Sequence, residues 1–86
     1  MQYQFIELNA QMLGDTDEMT QEDIDRYNAL LAEEIDKVGL SKQYRIEITR
    51  DGGLVGWSPR NEHADLYDAL EWTWIRFSRG EEAAHA

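Results

Sequence analysis

Cysteine is missing from this chain, proline occurs once and histidine twice, and 8 cations stand against 18 acids. Each shortage closes off a class of protein. Without thiols there is no disulfide framework and no thiolate metal centre, which suits a reducing compartment. No apolar run approaches the ~20 residues of a membrane span, and Met1-Gln2-Tyr3-Gln4-Phe5 lacks the basic, then apolar, pattern of a leader. The expectation is a soluble, unprocessed, cytoplasmic chain. His63 beside Glu62 and Asp65, and His85 near the end, are the only imidazoles, and no serine sits in a Gly-rich elbow. A nucleophilic triad is not suggested, so neither enzymatic activity nor a cofactor is expected.

Metal and phosphate sites fail on spacing. Counting a calcium loop from Asp15, the sixth position is Thr20 where glycine is needed, and the twelfth is Arg26 where a bidentate Glu is needed. Asp51-Gly52-Gly53 is better explained by a tight turn than by a phosphate loop. No metal is expected.

What the chain has is acid, unevenly placed, for a net charge of −10. Asp15 to Asp36 holds nine carboxylates and one cation, Arg26; residues 37–60 reverse the sign with five cations and two acids; residues 61–71 return four acids and no Lys or Arg. Such a field excludes nucleic acid and anionic membrane as direct partners and favours a basic protein surface. Three Trp, four Tyr and two Phe supply the apolar area that a disordered acidic chain would lack.

The elements read as one small α+β domain over residues 1–80, with 81–86 as a disordered tail. Residues 2–8 are rich in aromatic and β-branched types and read as a strand, although Phe5, Leu8 and Met12 also fit a short helical stripe. Thr20 is placed to cap a helix over 21–38, with Glu22 and Asp23 in its positive first turn and Gly39 beyond its end. Ile24, Tyr27, Leu31, Ile35 and Val38 are its core stripe. Glu22, Asp25, Ala29, Glu33 and Asp36 follow the same spacing on the opposite face, where the carboxylates extend over about 21 Å.

Tyr44, Ile46 and Ile48 alternate with polar residues in a second strand. A turn at Asp51-Gly52 would return Leu54–Trp57 as its hairpin partner, with Ile48 facing Val55 and Ile46 facing Trp57. Ser58-Pro59 or Asn61 opens a last helix that runs to about Ser78, with Gly80 past its end. Leu66, Leu70, Trp74 and Phe77 form its expected core stripe, flanked by His63 and Tyr67. Trp72 and Ile75 fall on the far side, near Asp68 and Arg79. The order is β-α-β-β-α: a two-layer sandwich with a three-stranded sheet and two helices on one face.

Candidate partner-binding residues follow from charge and exposure: Glu22, Asp25, Glu33 and Asp36 on the first helix; Asp65, Asp68, Glu71, Trp72 and Ile75 on the second. The carboxylate intervals permit phosphate mimicry, and an exposed Trp ringed by charge is a frequent interface anchor. Lys42, Arg45, Arg50 and Arg60 are too few on so acidic a protein to drive nucleic-acid affinity.

The βαββα order, the chain length and an acidic second helix ending Glu71-Trp72-Thr73-Trp74-Ile75-Arg76-Phe77 resemble the DinI-type modulators of the RecA filament. The resemblance implies a helix that imitates DNA and competes for a basic groove, through Glu62, Asp65, Asp68 and Glu71. This chain departs from that pattern in placing its densest acid on the first helix and its cations after it, so RecA itself is not the expected target. More broadly the chain resembles the small acidic inhibitors of phages and mobile elements, the anti-CRISPR and anti-restriction proteins. That likeness implies a non-enzymatic DNA mimic acting on a CRISPR effector or other nucleic-acid-binding protein in a bacterial host cell. The alternatives are a homodimer or assembly subunit with an interface around Trp72 and Ile75, and an immunity protein for a basic toxin.

Overall fold

The computed structural model describes residues 4–13, 19–50, 52–54 and 64–83. Strand β1 (Gln4–Asn9) runs into a 3-10 turn (Ala10–Leu13); helix α1 (Gln21–Lys37), strand β2 (Tyr44–Thr49) and helix α2 (Ala64–Ser78) follow. The chain is α+β, with a two-stranded sheet among the described residues. β1 and β2 are parallel, in register from Gln4 opposite Tyr44 to Asn9 opposite Thr49. Parallel neighbours require a crossover, and α1 supplies it.

Alternation sorts the strand residues by face. Ile6, Leu8, Ile46 and Ile48 are buried, and Phe5, Glu7, Arg45 and Glu47 take the other side. The buried set meets Ile24, Tyr27, Leu31 and Ile35 of α1, together with Ala10, Leu40, Leu66 and Ala69, in one core. Each buried Leu or Ile contributes about 1.5–3 kcal/mol.

Helix α1 begins where its sequence signal lies. The Thr20 hydroxyl accepts from the Asp23 N–H at 3.1 Å, and the Asp23 carboxylate accepts from the Thr20 N–H at 3.2 Å, a reciprocal cap. Both helices end alike. Gly39, at φ 78°, donates to the Asp36 carbonyl while Leu40 donates to Ile35; Gly80, at φ 80°, donates to Phe77 while Glu81 donates to Arg76. This paired closure satisfies carbonyls at each helix end and needs positive φ at the glycine.

Leu54, the first residue of the expected hairpin partner of β2, pairs with β1. Leu54 donates to the Glu7 carbonyl at 2.8 Å and accepts from the Asn9 N–H at 2.9 Å, a parallel bridge to Leu8 on the edge of β1 away from β2. Gly52 and Gly53 carry the chain across. A Cβ on Gly53 would stand 2.5 Å from the Leu8 carbonyl carbon, and its φ is +88°, so both space and torsion require glycine there. Val55 and Trp57, and with them the rest of the expected third strand, lie outside the described residues, as do Ser58, Pro59 and Asn61 at the expected start of the last helix.

The other edge of β2 is partly closed by α1. The Asn28 side chain accepts from the Ile48 N–H at 2.8 Å and donates to the Ile48 carbonyl at 3.0 Å, as a residue of a neighbouring strand would. The α1 helix packs on both β2 and α2.

Helix α2 is rolled relative to its expected stripe. Its buried residues are Leu66, Ala69 and Thr73; Leu70 and Phe77 are half-buried, and Trp74, expected in the core, is 45 % exposed and stacks on Phe77 at 6.1 Å. Small side chains at 69 and 73 let the two helices approach closely. The Thr73 hydroxyl donates to the Ala69 carbonyl at 2.7 Å, which makes its burial tolerable.

Candidate functional site

The candidate residues lie on two helices, and the structure divides them. On α2, Asp65, Asp68, Glu71 and Trp72 are exposed, Trp72 by 53 %. Ile75 shares the outward face by its helical position but is half-buried, a departure from the expectation that it stands free beside Trp72. On α1, Glu22, Asp25 and Asp36 are exposed. Asp25 accepts from the Gln21 amide at 3.0 Å and Asp36 from the Ser41 hydroxyl at 2.9 Å, contacts that fix each carboxylate without neutralising it.

Glu33 must be removed from the set. Its carboxylate accepts from the Arg76 guanidinium at 2.8 Å, and Arg76 also donates to Glu34 at 2.7 Å and to Glu81 at 3.0 Å. The side chains of Arg76, Glu33 and Glu34 are only 14 %, 16 % and 9 % exposed, so this is an internal joint between α1 and α2. Glu33, then Glu34 and Glu81, bind the charged form of Arg76 and push its pKa up, which keeps it a cation throughout. Lys37 adds a second cation, 2.9 Å from Glu34.

Arg26, the lone cation among the carboxylates of residues 15–36, has a similar role. It donates to the carbonyls of Phe77 at 3.3 Å and Glu81 at 2.7 Å, and lies 4.1 Å from the Phe77 ring centroid. A guanidinium suits the free carbonyls at a helix C-terminus and an aromatic face. Glu81 is therefore held by both its carbonyl and its carboxylate. The signal for Arg26 was its isolation in an acidic run; nothing in the sequence singled out Arg76.

Among the described residues no group of three His, Cys, Asp or Glu is placed to hold a metal ion. Asp15, Asp17 and Glu18 of the rejected calcium loop, and Glu62, lie outside them. No helix of the described residues is long and apolar enough to cross a membrane. What the geometry offers is an exposed aromatic anchor with carboxylates around it on α2, and three further exposed carboxylates on α1. Comparison with protein families, with curated proteins and with solved structures finds no match to this chain.

Proposed function

We propose that this protein is a non-enzymatic inhibitor that occupies the basic, nucleic-acid-binding surface of a CRISPR effector or another DNA-processing protein through a DNA-mimicking acidic face, in the cytoplasm of a bacterial host. The observation that carries this reading is Trp72, 53 % exposed on the helix that also exposes Asp65, Asp68 and Glu71. A large ring left in water costs solubility, and carboxylates beside it repel one another; a partner with an apolar pocket rimmed by Arg and Lys relieves both. Glu22, Asp25 and Asp36 extend the negative field on α1.

An interface with a second copy around Trp72 and Ile75 fits less well, because Ile75 already has cover within the chain. An immunity protein for a basic toxin shares the electrostatics, and the identity of the captured partner separates the two.

The test is capture from a bacterial lysate on the tagged chain, with elution by duplex DNA and by salt steps. Asp65, Asp68 and Glu71 are reversed to Lys in one variant, Glu22, Asp25 and Asp36 in a second, and Trp72→Ala is a third. Glu33 stays native, since its reversal would place a cation against Arg76. Expected is a nucleic-acid-binding protein, displaced by DNA and lost with the α2 reversal and with Trp72→Ala. Capture that survives all three variants, or no partner at all, sinks the proposal.

A further inference from the structure

Among the described residues, the flank of β2 away from β1 carries an inference that does not rest on the acidic faces. Gln4 donates to the Gln43 carbonyl across the β1–β2 ladder, so the odd-numbered residues of β2 turn their backbone groups toward β1. The even-numbered ones turn theirs to the opposite edge. There the Tyr44 N–H is taken by the Leu40 carbonyl and both groups of Ile48 by Asn28. Ile46 lies between these two closures. Its edge borders a mostly apolar hollow of about 380 Å³, lined among others by Ala32, Ile35, Tyr44, Arg45 and Glu47. Ala32 is exposed, and its short side chain leaves the α1 wall of the hollow low.

We propose that this edge joins two copies of the chain, antiparallel about Ile46. The occupant is argued from charge. In an antiparallel pair centred on Ile46 and its counterpart, the two residues exchange N–H to carbonyl bonds, and position 45 of each copy falls opposite position 47 of the other. Those positions are Arg45 and Glu47, on the outward face, with side chains 58 % and 36 % exposed; within one chain Arg45 donates to the Glu47 carboxylate at 2.8 and 3.0 Å, so pairing two copies would set two such ion pairs against each other with opposite charges adjacent. The two opposed positions form a non-hydrogen-bonded pair, the kind that brings side chains closest. The strand is thus self-complementary in charge, twice over. It also lies within residues 37–60, where cations outnumber acids in a chain of net charge −10. With Asn28 and Leu40 closing the ends, the bridge is short and the dimer weak.

The experiment is sedimentation velocity over roughly 10 µM to 1 mM, the range in which small contacts act. Wild type shifts toward dimer across that range. Arg45→Glu alone places Glu opposite Glu, and Glu47→Arg alone places Arg opposite Arg, so each variant is expected to stay monomeric. Mixing the two restores complementarity at both positions and with it the dimer, a rescue that no effect inside one chain can give. As a second measurement, Arg45→Cys and Glu47→Cys chains are mixed in oxidising buffer. The parent has no cysteine. The 45–47 disulfide is expected to form faster than either like pair, because the opposed Cα atoms would lie about 4.5 Å apart. A wild type that is monomeric throughout, single variants that still dimerise, or equal rates for the three disulfides would each overturn the proposal. A dimer lost only with Trp72→Ala would overturn it in favour of the α2 face.

Discussion

Tyr27 is the residue whose chemistry the core changes most directly. It is 3 % exposed, edge-on to Phe77 at 5.5 Å, and burial pushes its phenol well above the ordinary range. The folded chain keeps a proton that the unfolded chain releases above pH about 10. Stability from this group is therefore complete below that pH and is lost as pH rises past it. Urea unfolding of wild type and Tyr27→Phe at pH 8 and pH 10.5 checks this, with the wild type expected to lose more stability than the variant between the two. Equal losses would mean that the phenol ionises as easily folded as unfolded. Arg26 and Arg76 are the other residues set by their surroundings. Their side chains are directed inward, Arg26 onto the carbonyls of Phe77 and Glu81 and Arg76 onto the carboxylates of Glu33, Glu34 and Glu81, so neither cation offsets the exposed carboxylates of the two helices.

At the scale of elements, Asn28 does for β2 what a third strand would do at Ile48. Asn28→Ala removes both hydrogen bonds and leaves a backbone N–H and carbonyl to find water beside the core. The expected cost is about 1–3 kcal/mol, read from the denaturant midpoint. A change under about 0.5 kcal/mol would show that solvent already serves that edge. Periodicity and local caps make α1 legible in the sequence: Thr20, Gly39 and the 24–27–31–35 stripe all hold. β2 and the C-terminal end of α2 are legible for the same reason. Strand partners are not. Alternation tells which face Leu54 belongs to, not whether β1 or β2 receives its hydrogen bonds, and a Gly-Gly pair serves a crossing as well as a turn. The roll of α2 is hidden too, because a stripe chosen by side-chain volume favours Trp74, whereas close helix packing selects Ala69 and Thr73. In the candidate site, helical phase places Asp65, Asp68, Glu71 and Trp72 correctly. It misjudges Glu33, whose partner, Arg76, lies far along the chain.

For the whole molecule, the governing quantity is self-repulsion. With a net charge of −10 and exposed carboxylates on both helices, screening should stabilise the fold. Raising sodium chloride from about 20 to about 300 mM is expected to raise the thermal midpoint by roughly 3–6 °C. A fall instead would mean that ion pairs such as those around Arg76 outweigh the long-range field. The parallel pairing of β1 with β2 bears on how the chain reaches this state. Every rung joins residues forty positions apart, so β1 gains no sheet partner until the crossover helix and the following strand exist. Loop closure precedes any reward from the ladder, which places this sheet among slowly nucleating topologies despite its two short strands. On a ribosome the first strand emerges before the second and waits, with Phe5, Ile6 and Leu8 unpaired, until residue 49 has cleared the exit. The acidic stretch that follows would then keep the waiting segment from meeting its neighbours, a kinetic service rendered before any folded surface exists.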